Sequence, residues 1–294
     1  MRARAIFRGL HRTASGEETI MQLYSTCHNH TTLDDGKSTP AEMAQAALDA
    51  GFTDFGISGH SRIEAPGEAG WFIESEEQFL AVMDALKRQF APRLRIWAGM
   101  EQDWYGPVHC REKLDYLIGS VHALRSGETG RYYWMDGAAA SLAACRDEMF
   151  GGDMEKLVRA FYRLTAENVQ RWHPDVIGHF DIVGKNNEGG AFFDEESPAC
   201  RAAALEALHA CCETGAVLEV NTGGMRRGYR TVPYPARFLL AEAHAMGARV
   251  TLNADAHAAD AVTFRLAEAA ELLRSVGYTE YASFENGAFV QRPL

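Results

Sequence analysis

The 294-residue chain contains no apolar run that approaches the ~20 residues of a membrane-spanning helix. It also lacks a proline- or serine-rich linker and an internal repeat, so one large domain is the better expectation for this length. Positive charge is in deficit, because 40 acidic residues against 29 basic ones give a formal net charge of -11. That deficit argues against nonspecific binding of nucleic acid or anionic membranes, but it does not exclude a small anionic substrate.

The six cysteines include no C-x-x-C pair, which is typical of proteins in a reducing compartment and favours a cytoplasmic location. The opening segment MRARAIFRGLHRTASGEETI is basic at first but lacks the apolar core of a secretory signal. We therefore expect residues 1–20 to form a disordered tail and residues 21–294 to form a single domain.

Short apolar strands alternate with amphipathic helices along the rest of the chain. Seven segments read as strands, in the order MQLYST, TDFGIS, RLRIWAG, LDYLIGS, PDVIG, GAVLEV and ARVTLN. A capping box at Thr39, Pro40 and Glu42 begins the first helix, and Gly51 ends it. We expect RYYWMDG to be a loop and the last helix to run from about residue 260 to 276. The alternation predicts an α/β fold with a parallel sheet, closed or nearly closed into a TIM-like barrel.

Residue types that bind metals follow six of the seven predicted strands. They are His28, His30, His60, Glu101, His122, His179, Asp255 and His257, with Asp34 and Asp35 in the first loop. The H-x-H and D-x-H spacings place alternate residues on one face of an extended chain. A barrel would gather these groups at one mouth, where they would need cations to neutralise and order them. Mixed imidazole and carboxylate ligation suits zinc, manganese or iron, and about nine ligands suit two or three ions.

The remaining histidines are expected to lie outside this cluster. His11 is in the tail, His173 precedes the fifth strand, and His209 and His244 lie inside helices. His109, in the loop past Glu101, stays open as a site residue.

The chain resembles the polymerase-and-histidinol-phosphatase (PHP) superfamily, most closely its histidinol-phosphatase branch, in seven successive segments. They are CHNHTTLDDGKSTPAEM, GISGHS, AGMEQD, LIGSVHAL, DVIGHFDIVGKNN, LEVNTGGMRRGYRTVPYP and TLNADAH. The resemblance spans about residues 21 to 277 and implies a distorted (β/α)7 barrel with three divalent metal ions. By position, one ion would take His28, His30, Glu101 and Asp255, a second Glu101, His122 and His179, and a third Asp35, His60 and His257. Asp34 leaves open which of the two adjacent aspartates binds.

The resemblance also implies hydrolysis of L-histidinol phosphate, a step of histidine biosynthesis, by in-line attack of a metal-bridging hydroxide. Clustered dications lower the pKa of bound water to about 7 and clamp phosphate oxygens. The alternatives are a PHP phosphoesterase that acts on nucleotides or sugar phosphates, and a non-catalytic PHP module.

Four positions around the predicted ligands have expected roles. Arg226 should bind the phosphate, and Asn221 should either orient the substrate or brace a ligand. His257 and a metal-bound water are the candidates for protonating the leaving group. We expect Arg227 at the surface. The aromatic run of residues 132–134 is either a pocket rim or ordinary packing.

Overall fold

The computed structural model describes residues 9–12, 18–65 and 70–294, and a sheet of seven parallel strands forms its centre. The strands are β1 (Gly9–Arg12), β2 (Glu18–Met21), β3 (Ser25–Thr26), β4 (Asp54–His60), β5 (Arg95–Asp103), β6 (Tyr116–Ser120), β7 (Ala123–Arg125), β8 (Tyr132–Trp134), β9 (Val176–Ile177), β10 (Val217–Asn221), β11 (Val250–Asn253), β12 (Glu280–Glu285) and β13 (Ala288–Pro293). The helices are α1 (Pro40–Ala50), α2 (Glu76–Phe90), α3 (Ala139–Phe150), α4 (Met154–Trp172), α5 (Pro198–Cys212), α6 (Gly223–Arg226), α7 (Arg237–Ala245) and α8 (Leu266–Ser275).

The central sheet has the strand order β11-β10-β9-β6-β5-β4-β3, and its neighbouring strands pair in parallel. A parallel bridge between Asn29 and Ala256 joins the segments that follow the two outermost strands, β3 and β11. The sheet is therefore a nearly closed barrel, and the predicted α/β barrel of seven strands is confirmed. Parallel closure places the carboxyl ends of all seven strands around one mouth.

A C-terminal hairpin, β12 paired with β13, covers the amino-terminal end of the barrel. The backbone N–H of Phe284 donates to Oγ of Ser25 over 2.9 Å, and the N–H of Asn286 donates to Asp54 over 3.2 Å. The Asp54 carboxylate is fully buried and also accepts two hydrogen bonds from Arg95. These contacts fix the end of the barrel opposite the mouth.

Tyr116 fills the interior of the barrel beneath the mouth and is fully buried. A Cβ atom on Gly99 would lie 2.1 Å from Cζ of this ring, and one on Gly56 would lie 2.2 Å from its hydroxyl. Glycine is thus required at both positions for Tyr116 to fit, and the Tyr116 hydroxyl donates to the carbonyl of Cys27. The floor of the mouth is packed rather than open.

The predicted start of α1 is confirmed, because Thr39 and Glu42 form a reciprocal capping box and Gly51 ends the helix in a left-handed conformation. Two expectations were wrong. RYYWMDG contributes β8, which pairs antiparallel with β7. The last helix begins at Leu266, after a 3-10 turn at residues 259–261, because residues 262–265 form an irregular turn and Arg265 has a φ of 50°.

Within the expected tail, Gly9–Arg12 and Glu18–Met21 pair as an antiparallel hairpin. The other residues before position 18 lie outside the described part of the chain. The division into a tail of residues 1–20 and a domain of residues 21–294 stays a prediction. No helix among the described residues is long and apolar enough to cross a membrane.

Candidate metal centre

The predicted ligand residues converge at the carboxyl ends of the barrel strands. His28 and His30 follow β3, and His60 ends β4, while Glu101 lies near the end of β5. His122, His179, Asp255 and His257 follow β6, β9 and β11, and Asp35 lies in the loop after β3. These residues stand at or just after the carboxyl ends of the strands, and their side chains therefore lie at the mouth of the barrel.

Glu101 lies at the centre of the cluster and is fully buried. Its Oε2 atom lies 3.1 Å from Nε2 of His28, 3.4 Å from Nε2 of His30 and 2.9 Å from Nδ1 of His60. Oδ1 of Asp255 lies 3.3 Å from the same nitrogen of His30. One carboxylate oxygen therefore faces three imidazoles, with a second carboxylate beside them.

The other oxygen of Glu101 faces a separate pair of histidines. Oε1 lies 3.2 Å from Nε2 of His122 and 2.8 Å from Nε2 of His179, and these two nitrogens are 3.2 Å apart. Because Glu101 presents one oxygen to each group, it has the geometry of a carboxylate that bridges two cations.

Asp35 and Asp34 have different surroundings. Oδ1 of Asp35 lies 3.2 Å from Nε2 of His257 and 3.7 Å from Nε2 of His60. Asp34 instead accepts a 2.6 Å hydrogen bond at Oδ2 from Nδ1 of His30, and both of its oxygens also accept backbone N–H groups. The geometry therefore favours Asp35 as the ligand and makes Asp34 a support for His30.

Several atoms in this cluster are buried without a hydrogen-bond partner among the described residues. They are Nε2 of His28, Nε2 of His30, Oδ1 of Asp35 and both oxygens of Glu101. A buried polar atom left unpaired costs free energy, so such atoms need a partner. All of them face groups of ligand atoms lying within 4.8 Å of one another, and the described residues thus form clusters that can hold several metal ions.

Burial and neighbouring charges act in opposite directions on the pKa values of the cluster. Burial opposes a charge on His28, yet Glu219 and Glu101 raise the pKa of His28 well above its usual value. Burial likewise opposes a charge on His30, but Asp34 and other carboxylates raise the pKa of His30 to about 10. Burial would raise the pKa of Glu101, but the surrounding histidines hold it well below its usual range. The cluster is therefore a network of imidazolium and carboxylate groups, and a bound cation would displace protons from its imidazole rings.

Two carboxylates that contact candidate ligand residues were not predicted from the sequence. Glu219, in β10, lies 2.6 Å from Nδ1 of His28 and accepts the backbone N–H of His179 over 2.7 Å. Asp103, in β5, accepts the backbone N–H of His122 over 2.8 Å and lies 3.2 Å from its Nδ1. The available signal was a lone carboxylate inside the otherwise apolar segment GAVLEV, and another carboxylate two residues after Glu101.

Asn221 is fully buried and does not line the cavity. Its Nδ2 donates to Oε2 of Glu219 over 2.9 Å, and its Oδ1 accepts the backbone N–H of Gly223. Of the two roles expected for Asn221, this geometry favours bracing a ligand over contact with the substrate.

A cavity of about 600 Å³ opens above the cluster. Arg226, Arg227 and Lys185 are among the residues that line it. Arg226 is about half exposed, and its Nη2 lies 2.9 Å from Oδ2 of Asp260. Arg227 is exposed, as expected for a surface residue, but its Nη2 also donates to Asp255 over 3.0 Å at the edge of the cavity. Sequence reasoning assigned no role to Lys185, which is buried in the wall of the same cavity.

Most other candidates lie away from the cavity. His109 is exposed and donates its backbone N–H to Glu76. His209 pairs with Glu242, and His244 packs against Tyr278, as expected for helix residues. His173 ends α4, and the side chain of His11 lies outside the described residues. Residues 132–134 do not line the cavity, which favours ordinary packing for this aromatic run.

Fold and site together define a class: a parallel α/β barrel whose mouth carries a histidine- and carboxylate-rich centre for several metal ions. The family model described as "PHP domain" matches residues 26–223, and the chain belongs to the PHP domain family.

Named relatives span most of the chain. A relative from Deinococcus radiodurans named "Probable histidinol-phosphatase" is 32% identical over 260 residues, which cover 85% of this chain and 92% of the relative. One of the same name from Schizosaccharomyces pombe is 25% identical, with 84% of each chain covered. The crystal structure of histidinol phosphate phosphatase from Lactococcus lactis, complexed with zinc, L-histidinol and phosphate, has the same fold. It superposes with a TM-score of 0.68 at 20% identity and covers 91% of this chain and 98% of that one.

Proposed function

We propose that the chain is a metal-dependent phosphomonoesterase that hydrolyses L-histidinol phosphate to L-histidinol and phosphate. One observation carries this proposal: metal-ligand residues and cationic side chains line the same cavity. The first set includes Asp35, His60, His122, His179, Asp255 and His257, and the second is Lys37, Lys185, Arg226 and Arg227. A phosphate ester needs such positive surroundings, and the names of the two relatives support histidinol phosphate as the ester.

We infer that the cluster holds three divalent transition-metal ions, which are zinc, manganese or iron. The proposed ligands are His28, His30, Glu101 and Asp255 for one ion, Glu101, His122 and His179 for another, and Asp35, His60 and His257 for the third. Imidazole nitrogens and carboxylate oxygens are suited to these metals. When bound, such ions lower the pKa of water and neutralise phosphate oxygens.

The cationic side chains would hold the phosphate group. Arg226 can offer its planar guanidinium to phosphate oxygens in place of Asp260, since that ion pair is exposed and therefore weak. Arg227 is paired with Asp255 and would keep this carboxylate in place. Lys185, which also lines the cavity, would add positive charge.

His257 was also expected as a proton donor to the leaving group. Its Nε2 faces Asp35 over 3.2 Å, while its Nδ1 lies 3.0 Å from the carbonyl of Asp255. Since both ring nitrogens are engaged, the geometry supports His257 as a ligand and gives no support to its role as a donor.

We infer a cytoplasmic location and a small-molecule substrate rather than a nucleic acid. All six cysteines are free thiols, as is usual in a reducing compartment. The net charge of -11 opposes association with a nucleic-acid backbone.

The direct test is phosphate release from L-histidinol phosphate by chelated protein to which zinc, manganese or iron is returned. Chelated protein should be inactive, and one of the metals should restore turnover, with two to three ions per chain by elemental analysis. The variant Glu101→Gln should stay inactive with every metal, because it loses the bridging carboxylate. Absence of turnover with all three metals would contradict the proposal and favour a non-catalytic module.

A further inference from the structure

Asp136 is held in the wall of the cavity by backbone contacts on both sides. It follows β8 and lines the cavity together with His122. The backbone N–H of Met135 donates to the carbonyl of His122 over 2.7 Å. Nζ of Lys185 donates to the backbone carbonyl of Asp136, and Asn186 donates to that of Gly137 over 3.0 Å. The segment that carries Asp136 is therefore fixed before a substrate arrives.

One oxygen of the Asp136 carboxylate lacks a hydrogen bond to the described residues, although the carboxylate lies close enough to Lys185 and Arg227 for its charge to favour their protonated forms. Its Oδ1 atom is buried without a hydrogen bond among the described residues. The nearby cations are used elsewhere: Arg227 donates to Asp255, and Lys185 donates to the backbone oxygen of Asp136 rather than to its side chain. A buried carboxylate oxygen without a hydrogen bond is costly, so the position of Oδ1 in a half-buried residue of the cavity wall indicates an atom that is paired when the substrate is bound.

A carboxylate is an unfavourable neighbour for a phosphate ester unless the ester also carries a positive charge. Asp136 repels the phosphate of any substrate, but it attracts an ammonium group attached a few bonds away. L-Histidinol phosphate carries such an amine, whereas sugar phosphates and aryl phosphates do not. The cavity thus contains cations for the phosphate and, in Asp136, a carboxylate that is not among the proposed metal ligands.

We propose that Asp136 binds the ammonium group of the substrate and thereby selects phosphate esters of amino alcohols. This inference rests on the proposed function and adds the residue that determines specificity. The contact is a charge-assisted hydrogen bond between carboxylate and ammonium. Because the ammonium takes no part in the reaction, the same contact stabilises ground state and transition state alike, and its loss should appear mainly in KM.

The test compares Asp136→Asn with the wild type on L-histidinol phosphate and on its analogue that lacks the amine. The asparagine keeps the shape of the side chain and removes its charge. On L-histidinol phosphate, kcat/KM should fall at least ~10-fold through KM, because a hydrogen bond between charged groups is lost. On the analogue, the variant should equal or exceed the wild type. Asp84→Asn, on the exposed face of α2, removes one carboxylate outside the cavity and should change neither rate.

Three results would overturn the inference. An equal fall on both substrates would assign Asp136 to catalysis or to structure. An unchanged kcat/KM on L-histidinol phosphate would exclude an ammonium contact. If the wild type itself does not hydrolyse L-histidinol phosphate, the proposed function fails together with the inference. That failure is seen in the wild type alone and is thus distinguishable from a failure confined to Asp136.

Discussion

Oε1 of Glu219 lies 2.6 Å from Nδ1 of His28, and both side chains are fully buried. A carboxylate at this distance fixes the proton on Nδ1 and leaves Nε2 free to face Glu101 and Asp255. Oε2 of the same Glu219 accepts the backbone N–H of His179, which belongs to the other half of the cluster. Glu219 therefore orients one candidate ligand directly and another through its backbone.

Glu219→Gln should weaken metal binding by ~10-fold to 100-fold, which is the usual effect of losing a group that orients a metal ligand. The amide keeps the shape of the side chain but lacks the charge that holds His28. Metal affinity can be measured by competition with a chromogenic chelator. Glu206→Gln, at an exposed position of α5, is the matched control and should bind metal like the wild type. Equal affinities in both variants would remove Glu219 from the support of the site.

Metal binding should release protons at neutral pH. Burial opposes a charge on His28, His30 and His122, but nearby carboxylates raise the pKa of all three rings above the usual value. We therefore expect these rings to bind protons at pH 7 before a metal is added. A metal needs the neutral ring, and it must therefore displace those protons. Since the raised pKa of His30 is about 10, affinity should keep rising as the pH increases above 7.

Calorimetric titration with zinc in buffers of different ionisation enthalpy measures this release. The expected result is a net loss of at least ~1 proton per chain at pH 7. His244→Ala should release the same number, because His244 packs against Tyr278 outside the cluster. A heat of binding that does not depend on the buffer would contradict the charge network.

The convergence of the candidate ligand residues could be predicted from the sequence because metal-ligand residue types coincide with strand ends. In a parallel barrel all those ends meet at one mouth, so no pairwise contact had to be known. The same reasoning missed Glu219, because its contact with His28 joins residues that are 191 positions apart. The sequence of a strand does not show which distant residue a carboxylate within it contacts.

The arginines show a second limit. Arg226 and Arg227 are adjacent in the sequence, and their directions depend on the four-residue helix α6. Its short turn sends Arg227 toward Asp255 and leaves Arg226 beside Asp260. Both residues are arginines in the same sequence segment, so the sequence does not show which one contacts Asp255. Only the backbone geometry distinguishes them.

Arg226→Ala should retain its full metal content. Its kcat/KM on L-histidinol phosphate should fall by an amount that corresponds to a loss of ~2 to 3 kcal/mol of transition-state stabilisation, the effect of losing a charged hydrogen bond to phosphate. Steady-state kinetics together with elemental analysis measure both quantities. Arg163→Ala, on the exposed side of α4, removes the same charge away from the cavity and should leave kcat/KM unchanged. An unchanged kcat/KM for Arg226→Ala would show that Arg226 does not bind the phosphate, and would favour Arg227 or Lys185 for this contact.

We expect this metal centre to serve the hydrolysis of L-histidinol phosphate. The measurement that tests it most directly is kcat/KM of metal-loaded wild-type protein on L-histidinol phosphate, glucose 6-phosphate, AMP and p-nitrophenyl phosphate under one condition. A site built around the polar groups of one substrate rejects esters that lack them. We predict a preference for L-histidinol phosphate of more than ~10-fold over each of the others. Faster turnover of the nucleotide or the sugar phosphate would contradict the assignment of the substrate.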